Sequence, residues 1–273
     1  MPHMYLKRKF TFEIATLVPY INWTYFFHAW QVKEPAEQQR LQQEATTLLQ
    51  QEGSRYHAHA LLLIADANSD GDNLIVHGTT LPLLRQQHHE EGMPCLCLAD
   101  FVRPATQGIP DTVGVFATTT DAAMVNNYRH DDYLQMMMQL LADRLAEAAA
   151  ERLHQMVRTS LWGYAPHENL SISELHQEKF QGIRPAVGYP SMPDTGVNFI
   201  IDQLLGLKEI GISITENGAM MPHASVTGLM IAHPKARYFS IGKISEEQMA
   251  DYALRRGLGM EEAKKFLQPL LAQ

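Results

Sequence analysis

Residues 131–162 carry the longest helical pattern in the chain, and that pattern restricts what the rest can fold into. Leu134, Met138, Leu141, Leu145 and Ala149 recur at intervals of three and four, the spacing of one helix face. Met136 and Leu140 lie on another face. A helix apolar on two faces has no side left for water, so it belongs between two layers of other structure. Gly163 and Pro166 end it. The neighbouring Met136, Met137 and Met138 point in different directions on a helix, which suits core packing better than a soft-metal box.

The remaining patterns supply those layers. Residues 34–51, with Leu41, Ala45, Leu48 and Leu49 at helical spacing, predict a surface helix stopped by Gly53. The apolar runs 60–65 and 74–77, separated by Asp70-Gly71, predict a hairpin. Further strands are expected at 113–119, 212–215, 226–232 and 238–241, and further helices at 198–208 and 261–271. Ser245 with Gln248 starts one more helix, which Gly257 stops. Strands and helices mix without regular alternation, which argues for α+β rather than a doubly wound parallel sheet. No linker or repeat divides residues 1–273, so one domain is expected.

Composition excludes several functions. A net charge of −8 disfavours phosphate-driven nucleic-acid binding and anionic membrane surfaces. No apolar run approaches the roughly 20 residues a membrane span needs. Two cysteines, Cys95 and Cys97, stand too close for a disulfide, and such sparse usage fits a reducing, cytoplasmic location. The run from Asp66 to Asp72 looks like the start of a calcium loop. It has His77 where the bidentate Glu is needed, so a polar hairpin turn is the better reading. His57-Ala-His59, His88-His89 and Cys95-Leu-Cys97 lack the paired spacing of a structural zinc site, and no metal is expected. A Gly-rich dinucleotide motif, a P-loop and a nucleophile elbow are all missing.

The informative stretch is residues 182–194. Pro185, Pro190 and Pro193 fix φ and restrict their predecessors, so this Pro/Gly-dense run is a stiff loop. Gly188 admits φ > 0 or close approach of another group. Tyr189 brings a flat ring and a hydroxyl, and Arg184 brings a planar fork suited to a carboxylate. Such a loop suits recognition of a small polar ligand. A rigid connector with a structural ion pair fits the spacing equally well.

The run Arg184-Pro-Ala186-Val-Gly188-Tyr189-Pro resembles the R-P-A-x-G-Y-P signature of the reactivation domain of cobalamin-dependent methionine synthases. Other blocks resemble the same family in the same order: Tyr20-Ile-Asn22-Trp23-Thr24, LCLADFV at 96–102, ADRLAE at 142–147, WGYAPHEN at 162–169, and Ala224-Ser225-Val226 with His233-Pro234. The resemblance implies a single curved α+β domain, mostly antiparallel sheet flanked by helices, that binds S-adenosylmethionine. It further implies a methyltransferase component, standing here as its own polypeptide. Such a component presents the methyl group to cobalamin on a partner domain or chain, with a flavodoxin-like protein as electron donor.

By the same resemblance, Arg184 holds the ligand carboxylate, Ala186 and Gly188 contact the ligand through backbone, and Tyr189 lies beside it. Glu147 sits near the charged amino-acid end, and Tyr238 is a further contact. Asn22 stands where the family commonly has Asp and brings no negative charge. That departure keeps an alternative in view, a docking module that caps a cobalamin protein without binding the ligand. No catalytic residue is expected, because cobalt and the sulfonium supply the chemistry.

Overall fold

The computed structural model describes residues 4–88 and 92–271. β1 (Tyr5–Glu13) runs into a short α1 (Ile14–Leu17), followed by α2 (Trp23–Ala29) and α3 (Pro35–Glu52). The long β2 (His57–Asp70) turns into β3 (Asn73–Val76) and β4 (Thr79–Pro82). β5 (Asp111–Thr120) leads through α4 (Ala123–Asn126) to α5 (Asp132–Met156). Beyond it come α6 (Ile172–His176), α7 (Val197–Leu205), a small hairpin of β6 (Ser213–Ile214) and β7 (Met220–Met221), then β8 (Ser225–Met230), α8 (Glu246–Arg256) and α9 (Met260–Leu267).

The main sheet has the order β4-β3-β2-β5-β8, with β1 also paired to β2, and every pair is antiparallel. β1 and β3 follow one another along one edge of β2 while β5 takes the other. The fold is therefore α+β, a curled antiparallel sheet flanked by helices. β2 is apolar at successive positions because both its faces are covered. Leu61, Leu63 and Ala65 face a core shared with α7, and Ala60, Leu62 and Ile64 face one shared with α5.

α5 lies between layers, as its sequence requires. Met138, Leu141, Leu145 and Ala149 pack on the α1–α3 side, while Ala146, Ala150 and Leu153 pack on the sheet. The second apolar face is thus made of small residues nearer the C-terminal end. Met136, expected there, is exposed. α5 continues as a π-helical turn at Val157–Leu161, which buries Arg158 completely. Its guanidinium makes two bonds to Glu168, at 2.7 and 2.8 Å.

Three further expectations change. Residues 238–241 form no strand, for reasons that belong to the site below. α7 stops at Leu205 and gives way to a 3₁₀ turn after Gly206, whose φ is +73°. β1 was not anticipated. Leu6, Phe10 and Phe12 alternate toward the α5 side, but the basic residues between them mask the apolar signal. The Asp70-Gly71 hairpin forms, and Asp72 is engaged by Arg85 at 2.7 Å. Cys97 is buried, and burial pushes its thiol up to about 12. His89 lies outside the described residues. Among the described residues, no helix is long and apolar enough to cross a membrane.

Candidate functional site

A cleft of about 670 Å³ opens between α5, α2, the segment around α6, and the loop at 184–191. Each wall has a local cause. On α5, Arg144, Glu147 and Glu151 follow at three and four residues and so share one face. Asn22 caps α2, its Oδ1 accepting from Thr24 N–H at 3.2 Å, which turns Tyr25 and His28 toward the cleft.

The stiff loop lies along β8. Ile183 and Ile231 exchange two backbone hydrogen bonds at 2.9 and 3.0 Å. Val187 N–H then donates to Thr227 at 2.9 Å, and Leu229 N–H donates to Pro185 at 3.0 Å. This brings the chain over Gly228, the only residue type small enough for such an approach. The loop then closes on itself, with Gly188 at φ +86° donating to Met192 at 2.8 Å.

Residues 238–241 bond to this loop rather than to the sheet. Ser191 Oγ donates to Phe239 O at 2.5 Å, and Ile241 N–H donates to Pro190 O at 2.9 Å. The run looked like a strand because of its aromatic and β-branched residues, but its backbone groups pair with an irregular partner. Tyr238 is held across the loop, its Oη accepting from Arg184 N–H at 2.9 Å.

The loop's far end is pinned by buried groups. Asp194 Oδ1 accepts from Gly196 N–H at 2.7 Å, and Tyr252 of α8 donates to Oδ2 at 2.6 Å. Tyr252→Phe is expected to cost about 1–3 kcal/mol, since it leaves a buried carboxylate oxygen without its short bond. Urea denaturation measures this. An unchanged midpoint would mean that Arg256, 3.6 Å from Asp194, suffices alone.

Of the residues singled out from sequence, Asn22, Glu147, Arg184, Ala186, Tyr189 and Tyr238 all line the cleft. Gly188 does not; it supplies the turn that presents Tyr189. Tyr189 Oη donates to Glu147 Oε1 at 2.6 Å and bridges loop to helix. Burial and that carboxylate push the phenol above its ordinary range. Arg184 keeps 14% of its side chain exposed and pairs with Glu151 at 3.1 Å.

Sequence reasoning missed Glu151, Glu178, Tyr25 and Arg144, which also line the cleft. Glu151 was within reach, one turn beyond Glu147 on a face that also holds Arg144. Glu178 carried no signal. Its φ of +56° is unusual for a non-glycine residue and shows only in three dimensions. Glu147, Glu151 and Glu178 face Arg144 and Arg184, so carboxylates outnumber guanidiniums in the cleft. That excess favours a ligand whose own charge is net positive. The volume is ordinary for a small-molecule site.

Residues 13–257 match the family described as vitamin B12 dependent methionine synthase, activation domain. Among solved structures, the crystal structure of the MetH reactivation domain bound to AdoHcy is similar, with a TM-score of 0.93 and 37% identity. The match covers 98% of this chain and 91% of that one.

Proposed function

This chain belongs to the family of activation domains of vitamin B12 dependent methionine synthases, and on that premise we propose that it binds S-adenosylmethionine in the cleft beside α5 for reductive reactivation of the synthase. A family of this kind implies a cobalamin-binding partner domain. We take residues 1–273 as a single activation domain, acting in the cytoplasm beside that partner, with a flavodoxin-like protein as the electron source.

One observation carries the reading. Segments near residues 22, 147, 184–189 and 238, far apart in sequence, converge on a single open, charged cleft. A docking module without a ligand has no need of that convergence. The similar structure bound to AdoHcy supports the same choice.

The roles follow from the chemistry of the walls. Arg184 offers N–H groups for the ligand's carboxylate. Glu147, with Glu151 and Glu178, attracts the ammonium and sulfonium charges. Tyr189 and Tyr238 add aromatic surface, Ala186 and the turn at Gly188 bring backbone close, and Asn22 offers a neutral amide. When bound, S-adenosylmethionine supplies an electrophilic methyl group for the reduced cobalt of the partner's cobalamin. The residues here would hold the ligand in the open cleft and need neither donate nor remove a proton. Positioning of this kind contributes roughly 7–11 kcal/mol in favourable cases.

Calorimetric titration of the purified chain with S-adenosylmethionine and with S-adenosylhomocysteine tests the proposal. One-to-one binding of both is expected. A folded protein that releases no heat and gains no thermal stability with either ligand would overturn it. Asn22→Asp adds a negative charge to the wall and keeps the helix cap. It is expected to tighten the sulfonium ligand relative to the neutral thioether by up to about fivefold, the scale of a partly exposed ion pair. An unchanged ratio would remove Asn22 from the electrostatics of the site.

A further inference from the structure

A guanidinium recognises a carboxylate in two-point fashion only where something fixes its plane. For Arg184 the fixing groups come from α5. Nη2 donates to Glu151 Oε2 at 3.1 Å, and Nη1 lies 3.2 Å from His154 Nδ1. Arginine has donors only, so Nδ1 is the bare ring nitrogen at this contact and the ring proton sits on Nε2. Nε2 lies 3.1 Å from Tyr164 Oη, which accepts that proton.

His154 is fully buried and is not among the residues lining the cleft. It stands edge-on to Phe180 at 5.0 Å, and the guanidinium of Arg158, one turn further along, lies over that same ring at 4.1 Å. Arg158 is itself held by Glu168, so a second cation is pinned beside the imidazole. Burial, then Arg184 and Arg158, keep His154 well below the ordinary histidine range. A neutral ring with one bare nitrogen is the state that accepts a bond from arginine. The π-helical turn that buries Arg158 thereby serves the cleft from behind.

We propose that His154 is a positioning residue: its bare Nδ1 and the Glu151 carboxylate, three residues apart on α5, form a fork that fixes the Arg184 guanidinium toward the carboxylate of the bound ligand. This rests on the function proposed above. His154 acts through Arg184 and touches no ligand atom.

The test compares two ligands on the full chain. S-Adenosylhomocysteine carries the amino-acid carboxylate, and 5′-methylthioadenosine keeps adenosine and thioether but lacks it. His154→Leu is expected to weaken S-adenosylhomocysteine about tenfold, the worth of one charge-assisted hydrogen bond, and to leave methylthioadenosine unchanged. His154→Asn, whose Oδ1 can occupy the place of Nδ1, is expected to bind both ligands within about threefold of wild type. If the leucine variant does not fold, His154→Gln replaces it, because its longer arm carries the acceptor to the Tyr164 side. Equal loss of both ligands in the leucine or glutamine variant, loss of neither, or an asparagine variant as weak as the leucine one would overturn the positioning role. If wild-type protein binds neither ligand, the proposed function fails first. If wild type binds and His154→Leu binds equally well, only the fork is lost.

Discussion

Arg184→Ala is expected to weaken S-adenosylhomocysteine binding by at least about 100-fold, the scale of truncating one partner of a desolvated charge pair. The site has one other guanidinium, Arg144, but it lies near Tyr25, 5.8 Å from the ring centre, rather than beside Glu151. The same substitution strips Glu151 of its only ion-pair partner among the described residues. Its Oε1 already lacks a hydrogen bond, so the whole carboxylate would be left bare in a buried place. Stability should therefore fall by about 2–4 kcal/mol as well. The two effects separate in the double variant Arg184→Ala with Glu151→Gln, which should recover most of the stability and none of the affinity. Arg184→Lys keeps the charge and loses the fork, so it should bind between wild type and alanine. Calorimetry and urea denaturation on the same preparations read both effects. An alanine variant that binds within a few-fold of wild type would take Arg184 out of the site.

Gly228→Ala should do comparable damage without changing any charge. A methyl at this position of β8 would overlap the Pro185 carbonyl oxygen and lie 2.9 Å from both Ala186 Cα and Phe116 Cε1. Two of these obstacles are backbone and the third is a ring at 0% exposure, so none can swing aside. The loop would have to lift, breaking the hydrogen bonds from Val187 to Thr227 and from Leu229 to Pro185. A loss of about 3 kcal/mol or more is expected, at the upper end of overpacking effects. Binding should weaken more than tenfold even where the variant remains folded, because Arg184, Ala186 and Tyr189 move together with the loop. Thermal unfolding with and without S-adenosylhomocysteine measures both. A variant with wild-type midpoint and wild-type ligand shift would show that the loop does not depend on its seat on β8.

How legible all this was from sequence depended on the range of the interactions involved. α3, α5 and α8 could be read directly, since apolar spacing, capping residues and a following glycine are local signals. The pairing of β2 with β5 was less so, and β1 was lost because Lys7, Arg8 and Lys9 dilute its alternation. Lys7 and Lys9 owe their place to partners some 200 residues away, the carbonyls of Leu204 and Glu209. Residues 238–241 show the converse error. Their composition suits a sheet, but their backbone groups bond to the Ser191 hydroxyl and the Pro190 carbonyl instead.

The amino-acid order by itself determined that α5 would be a long helix buried between layers, that 182–194 would be a stiff loop, and which family signature it carries. Those are consequences of torsional preference and of periodicity within a few residues. Three-dimensional packing set the rest: Glu147 faces a cleft rather than solvent, Glu151 and His154 grip Arg184, and Gly188 shapes the turn without lining the cleft. The first two outcomes depend on contacts between segments tens of residues apart. Such contacts are selected by whole-chain packing and leave no local spacing to read.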